Sequence, residues 1–239
     1  MGMATKAVEV KNAVKEFKET RALDDVTLSF ESGKIHGIVG RNGSGKTVLL
    51  KCICGFMELT SGQILVQGQK VVPSKPQNIG IIIESPGFIG SQSGFKNLYQ
   101  LASLNGKVTR QDVEEVMKLV GLDPKNKKPV RKYSLGMRQR LGIAQAIMED
   151  PPLLLLDEPM NGLDNQGVAD VREILARLRE EGKTIILASH SKEDIDILCD
   201  TVCELDHGRL IHSRVAEKTE HSNNRCDQLA VAAALDQSQ

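Results

Sequence analysis

The stretch of sequence that decides the fold reads Gly40-Arg41-Asn42-Gly43-Ser44-Gly45-Lys46-Thr47. It matches the pattern G-x4-G-K-[ST], with a strand-like apolar run before it, residues 35–39, and a helix-like run after it, residues 46–55. Glycines let backbone N–H groups point inward around phosphate oxygens, and the start of a helix adds partial positive charge there. The stretch, called the phosphate loop below, therefore predicts a binding site for ATP with Mg²⁺.

Each residue type in the phosphate loop has an expected role. Lys46 supplies a point charge to the β and γ phosphates, and the Thr47 hydroxyl ligates Mg²⁺. The other residues expected to contact the nucleotide are Gly40, Asn42, Gly43, Ser44, Gly45 and Val48. The alternative is an incidental glycine-rich turn, which the strand-loop-helix context disfavours.

Charge and hydropathy limit the possible partners. The 239-residue chain carries 31 basic and 31 acidic residues, so no overall field attracts nucleic acid or an anionic membrane, and we expect no direct nucleic-acid contact. Its longest apolar runs are far shorter than the roughly 20 residues needed to cross a bilayer. The amino terminus lacks the apolar segment of a secretory signal, which predicts a cytosolic location.

Five cysteines in a reducing compartment are expected to be free thiols. Cys52-x-Cys54 and Cys199-x3-Cys203 superficially resemble two halves of a metal site, whereas Cys226 stands alone. We favour the alternative that the paired cysteines are small buried apolar residues.

The rest of the chain alternates between strand and helix patterns. Strands are predicted at residues 8–12, 23–30, 35–39, 63–67, 79–83, 153–156, 184–188 and 202–205, the last closing the sheet. Helices are predicted at residues 168–181 and 192–198, and helical spacing fills a segment from about 90 to 150. This alternation predicts one α/β domain over residues 1–216 with a helical insertion. Residues 217–239 are polar and are interpreted as a mobile tail rather than a docked helix.

A second motif supplies carboxylates. The run Leu153-Leu154-Leu155-Leu156-Asp157-Glu158 reads as a strand buried on both faces, with Asp157 at the point where it leaves the core. Asp157 is expected to hold the metal, and Glu158 to orient or deprotonate the attacking water. These motifs together indicate a P-loop NTPase, but they leave a small-molecule kinase, a GTPase, a recombinase-like motor and a transport ATPase open.

The third motif narrows the choice. The run Tyr133-Ser134-Leu135-Gly136-Met137 stands near the end of the helical insertion. It resembles the signature loop of the ATP-binding cassette family, usually leucine-serine-glycine-glycine-glutamine, of which it keeps Ser134 and Gly136. A hydroxyl and backbone N–H donors at a helix start can meet a γ-phosphate. Ser134 acting only as a helix cap is compatible with this role.

The resemblance extends over nearly the whole chain. It implies a P-loop NTPase core with a mixed, mostly parallel sheet, an antiparallel β-subdomain and a helical subdomain. It also implies that Phe17 stacks on adenine, although a lone Phe could equally lie in the core. Asp164, in Asn161-Gly162-Leu163-Asp164, is similar to the aspartate that crosses the dimer interface. His190 is similar to the switch histidine that contacts the γ-phosphate.

One position departs from the family pattern. The family usually has glutamine after the strand at 79–83, where it reaches Mg²⁺, whereas this chain has Glu84. A carboxylate can still ligate Mg²⁺, but it adds negative charge near the triphosphate. The segment from 83 to 88, with the changed signature loop, is similar to cassettes that confer immunity to bacitracin and lantibiotic-type peptides.

The resemblance also implies the assembly. Two cassettes, as a homodimer or with a second cassette chain, would sandwich two ATP molecules, each between the phosphate loop of one chain and the signature loop of the other. Separate transmembrane permease subunits would hold the cassettes on the inner face of the membrane and carry the peptide out. Two alternatives stay open: a non-transport cassette ATPase acting on translation or nucleic acid, and a regulator that binds but does not hydrolyse ATP.

Overall fold

The computed structural model describes residues 5–73, 75, 77–84 and 87–216. The tail predicted at 217–239 and Cys226 lie outside these described residues. Across the described ranges, no helix is long and apolar enough to cross a membrane.

The central sheet has six strands, and five of them run parallel. Their bounds are β3 (Ile35–Val39), β6 (Ile79–Ile82), β7 (Leu153–Asp157), β8 (Thr184–Ala188), β9 (Thr201–Asp206) and β10 (Arg209–Val215). The spatial order is β10-β9-β3-β8-β7-β6, with only β10 antiparallel to its neighbour. The carboxyl ends of the parallel strands therefore meet along one edge, where open α/β sheets bind their ligands.

A second sheet is antiparallel. Its strands are β1 (Lys6–Phe17), β2 (Thr20–Glu31), β4 (Ser61–Val66) and β5 (Gln69–Lys70). Their spatial order is β2-β1-β4-β5. Its inward side chains join the strand-facing side of the first helix in one apolar cluster that includes Val8, Leu49 and Leu155. The mixed architecture expected from the sequence is thus confirmed.

Six α-helices complete the fold within the described residues. They are α1 (Lys46–Ile53), α2 (Gly94–Asn105), α3 (Arg110–Leu119), α4 (Leu135–Ile147), α5 (Asn165–Glu180) and α6 (Lys192–Leu198). The predicted helical insertion contains α2, α3 and α4, which share a core with residues such as Leu98, Met117 and Leu141, all fully buried. Side chains of Ser, Thr or Asp cap every one of these helices except α1.

The prediction that residues 202–205 close the sheet is wrong. β10 follows and forms a hairpin on β9. Its side chains are mostly exposed, so the strand lacks the apolar alternation by which a strand is recognised. The hairpin is tied to β2 by an ion pair of 2.6 Å between Arg209 and Asp24.

The four described cysteines, Cys52, Cys54, Cys199 and Cys203, are free and buried. Burial raises the pKa of Cys52 to about 11 and that of Cys203 to about 12. Because the thiolate is the metal ligand and nucleophile, these side chains act as small apolar residues, as the sequence suggested.

Candidate nucleotide-binding and hydrolysis site

The phosphate loop joins the carboxyl end of β3 to the start of α1. Gly45, the residue before α1, has φ of 106°, and a Cβ added there would lie 2.6 Å from the backbone oxygen of Ala22. A Cβ on Gly40 would lie 2.2 Å from the oxygen of Leu205. Only glycine fits these two positions, so neighbouring strands fix the path of the loop around an open concavity.

Two polar groups inside the loop fit a phosphate. The Lys46 ammonium lies 2.7 Å from the Gly40 oxygen and 3.2 Å from the Arg41 oxygen, which uses two of its three donors. Ser44 is 3% exposed, and its hydroxyl oxygen has no hydrogen-bond partner. A buried polar atom without a partner is unusual, and an anion in the loop would supply one.

Thr47 joins the loop to the carboxylate at the end of β7. Its hydroxyl donates to Asp157 Oδ2 across 2.6 Å, bringing together the two residues expected to hold Mg²⁺. Among the described residues, no three His, Cys, Asp or Glu side chains form a metal-binding group. A hydroxyl and one carboxylate still fit Mg²⁺, which keeps several waters and takes its other ligands from nucleotide phosphates.

Glu158 and His190 form a pair at the same edge. Glu158 follows β7 with a left-handed backbone, φ 50°, and its N–H donates to the Ala188 oxygen at the end of β8. Its Oε1 lies 2.8 Å from Nδ1 of His190. The sharp turn after β7 thus directs the carboxylate toward the histidine that follows the neighbouring strand.

A cavity of about 260 Å³ lies over the loop. It is lined by Ala22, Asn42, Gly43, Ser44, Gly45, Lys46, Thr47, Val48, Asp157 and Glu158. All but Ala22 were expected from the sequence, and Ala22 carried no motif. The strand-end carboxylates therefore share one cavity with the phosphate loop.

The signature-loop residues do not line this cavity. Ser134 caps α4 by accepting from the Met137 N–H at 3.2 Å, and Gly136 lies in the first turn of that helix. Asp164 caps α5 in the same way, accepting from the Gly167 N–H at 2.8 Å. Each capping oxygen still has hydrogen-bonding capacity, but within this chain these residues stand apart from the phosphate-loop cavity.

Phe17 lies at the end of β1, opposite Thr20 in the hairpin. Its side chain is 42% exposed, which removes the alternative that it is a core residue. The Lys15 ammonium lies 5.0 Å from the ring centroid. The ring is thus accessible to a ligand, although it is not part of the phosphate-loop cavity.

Glu84 is turned toward α1. Its backbone is left-handed, φ 62°, and its Oε1 lies 2.6 Å from Nζ of Lys51. It does not line the phosphate-loop cavity. The sequence signalled Glu84 as a metal ligand but gave no sign of its lysine partner, because that contact depends on how β6 is placed beside α1.

The signature loop packs on the segment after Glu158. A Cβ added to Gly162 would lie 2.1 Å from Leu135 Cδ2, and the Gln139 amide donates to the Pro159 oxygen at 2.7 Å. Neither contact was signalled by a motif. Together they link the helical subdomain to the strand that carries Asp157.

Comparison with known proteins agrees with this geometry. A family model described as ABC transporter matches residues 23–161. An uncharacterised ABC transporter ATP-binding protein, YybJ of Bacillus subtilis, is 44% identical over 205 residues, covering 85% of this chain and 94% of the relative. The bacitracin transport ATP-binding protein BcrA of Enterococcus faecalis is 38% identical over 223 residues, covering 91% and 72%. The lantibiotic transport ATP-binding protein SrtF of Streptococcus pyogenes is 33% identical over 214 residues, covering 90% and 93%.

Solved structures have the same fold. The dimeric post-hydrolysis cassette MJ0796 bound to ADP and Pi superposes with a TM-score of 0.80 at 22% identity, covering 88% of this chain and 99% of the other. The cassette cbiO1 of Clostridium perfringens, part of the transporter complex cbiONQ, gives a TM-score of 0.79 at 26% identity, covering 96% and 97%.

Proposed function

This chain belongs to the ABC transporter family as an ATP-binding subunit, and we propose that its ATP hydrolysis drives export of a bacitracin-like or lantibiotic-like peptide through a separate permease. The chain is an ATPase coupled to transport. The export substrate is proposed because two of its relatives are named for bacitracin and lantibiotic transport. A role in translation or on nucleic acid has no comparable support.

The observation that carries the proposal is the shared cavity of the phosphate loop and the β7 carboxylates. We assign ATP phosphates to the loop, with Lys46 and Ser44 as donors. Thr47 and Asp157 would hold Mg²⁺, with Glu84 as a third ligand, and the ion would neutralise the phosphate charge when bound. Glu158, beside His190, would accept a proton from the attacking water, and the exposed Phe17 would stack on adenine.

The site is completed in this proposal by a second cassette. Ser134, Gly136 and Asp164 lie outside the cavity of their own chain. Ser134 and Gly136 stand at a helix start suited to anions. A partner cassette would bring these residues over the ATP bound in the first. The permease subunits would hold the dimer on the inner face of the membrane.

The test compares Glu158→Gln with wild type in purified protein. Gln keeps the shape and a hydrogen-bond acceptor for His190 but cannot take a proton, so turnover is expected to fall by about 10²- to 10⁴-fold. ATP is expected to remain bound and to hold a dimer, measured by size-exclusion chromatography with light scattering. Glu173→Gln, an exposed change on α5, is the control. Wild-type turnover in Glu158→Gln would refute the assignment.

The transport proposal is tested in the native host. A strain lacking this chain is complemented with wild type or with Glu158→Gln, and the minimum inhibitory concentrations of bacitracin, a lantibiotic and tetracycline are measured. Only wild type is expected to restore resistance, and only to the peptides. Equal peptide susceptibility in all strains would refute the substrate class while leaving the ATPase assignment standing.

A further inference from the structure

The ion pair between Lys51 and Glu84 joins two elements that flank the nucleotide site. The Nζ to Oε1 distance is 2.6 Å, with 26% of the lysine side chain and 67% of the glutamate side chain exposed. Glu84 makes this contact from a left-handed backbone, φ 62°, which is unfavourable for a residue with a side chain. The chain therefore turns sharply off β6 and brings the carboxylate to the lysine.

Both partners stand close to the residues assigned to Mg²⁺. Lys51 lies four residues after Thr47 in α1, so the two share a helix face one turn apart. On the sheet, Ile82 pairs in parallel register with Leu156, and Glu84 and Glu158 each follow two residues later. By this register Glu84 follows the strand beside the one that carries Asp157, and its carboxylate is bonded to Lys51.

We propose that Lys51 is a positioning residue that holds Glu84 on α1 and competes with Mg²⁺ for that carboxylate. This inference rests on the proposed function, in which Glu84 is one of the metal ligands. A glutamine at position 84 would make only a neutral hydrogen bond to Lys51, whereas glutamate makes a charged one. Competition by Lys51 therefore depends on the carboxylate that distinguishes this chain from the usual family pattern.

The ion pair between Lys51 and Glu84 is weak enough for Mg²⁺ to replace Lys51 as the partner of the carboxylate. An exposed ion pair shifts an equilibrium by no more than about fivefold, so Lys51 can be displaced by a divalent cation. The cost of displacement appears as a higher Mg²⁺ requirement for nucleotide binding. Removing Lys51 is expected to lower that requirement by a similar factor.

The experiment measures the Mg²⁺ concentration that gives half-maximal binding of a non-hydrolysable fluorescent ATP analogue. Wild type is compared with Lys51→Met, Lys51→Arg, Glu84→Gln and the double variant Lys51→Met with Glu84→Gln. We expect Lys51→Met to lower the half-maximal Mg²⁺ by about three- to fivefold, and Lys51→Arg to behave as wild type because it keeps the ion pair. In the Glu84→Gln background, Lys51→Met is expected to change the half-maximal Mg²⁺ concentration by less than about 1.5-fold.

A matched control separates the specific pair from a simple loss of positive charge. Lys183 pairs with Asp150 at 2.5 Å, with 15% and 87% of the side chains exposed, at the opposite edge of the sheet. Lys183→Met is expected to leave the half-maximal Mg²⁺ unchanged. An equal effect of Lys51→Met in the wild-type and Glu84→Gln backgrounds would overturn this inference alone. Failure of wild type to bind the nucleotide at saturating Mg²⁺ would overturn the proposed function and the inference with it.

Discussion

Replacing Thr47 by valine removes one hydroxyl and little else. The two side chains have nearly the same shape and similar helix propensity, so packing around α1 is preserved. What disappears is the 2.6 Å hydrogen bond to Asp157 Oδ2. The carboxylate, which is half-buried, then loses a donor that valine cannot replace.

The expected cost follows from that contact. A hydrogen bond to a charged acceptor contributes about 1.5–3 kcal/mol, and partial solvent access places this one near the lower end, about 1.5–2 kcal/mol. For a chain of this length, each kcal/mol corresponds to about 2–4 °C in Tm. Thr47→Val is therefore expected to lower the Tm by about 3–8 °C in the absence of nucleotide.

The assay is thermal unfolding followed by fluorescence, with urea unfolding as a second measure of the free energy. Thr47→Ser keeps the hydroxyl and is the control, expected within about 0.5 kcal/mol of wild type. Added MgATP should raise the Tm of wild type and of Thr47→Ser more than that of Thr47→Val, because ligands stabilise the state they bind. Equal stability of Thr47→Val and wild type without nucleotide would refute the contact.

Three further predictions concern other parts of the fold. Burial lowers the pKa of His36, so the folded chain holds the imidazole neutral. The contribution of His36 to stability is complete above about pH 6.5, the unfolded pKa, and is lost as the pH falls from there through the lower folded pKa. Urea midpoints measured from pH 8 to 5.5 test this. Gly45→Ala should cost about 1–3 kcal/mol and weaken ATP binding, because its Cβ would lie 2.6 Å from the Ala22 oxygen. Arg172→Met should cost about 3 kcal/mol in unfolding free energy, because it strands the Asp194 carboxylate, 8% exposed and paired at 2.5 Å.

Each of these has a matched variant. His36→Gln keeps hydrogen-bonding groups but cannot titrate, and a pH slope equal to wild type would contradict the role given to His36. Gly43→Ala shares the strain of a positive φ, 80°, but its Cβ meets no atom within 4 Å, so a loss as large as that of Gly45→Ala would exclude the clash as the cause. Arg177→Met breaks an exposed pair with Glu181 and should cost less than about 0.5 kcal/mol.

The sequence predicted best those elements that have strong local signals. β3, β8 and α6 begin and end at the predicted residues, because a mainly apolar run marks the two strands and a Ser cap marks the start of the helix. β5 and β10 were missed, since edge strands with exposed side chains show no apolar alternation. β1 and β2 extend beyond the predicted limits into a hairpin with exposed residues.

Within the site, the sequence predicted which residues line the cavity but not what holds them. Motifs identify the strand-end residues, and parallel strands bring their ends to one edge whatever the order of the sheet. The contacts of Glu84 with Lys51 and of Leu135 with Gly162 depend on which elements are neighbours and on their register. Such pairings join residues far apart in the chain, where local patterns carry no information.

Two unusual positions of this chain, Glu84 and Leu135, are each accommodated by a contacting residue. Glu84 places a charge where the family usually has an amide, and the Lys51 ammonium, 2.6 Å away, balances it. Leu135 places a bulky side chain, 53% exposed, in the signature loop. This side chain packs against Gly162, φ 75°, where an added Cβ would lie 2.1 Å from Leu135 Cδ2. Replacing Glu84 by glutamine would therefore leave Lys51 without a charged partner, and replacing Leu135 by glycine would remove the side chain that covers Gly162.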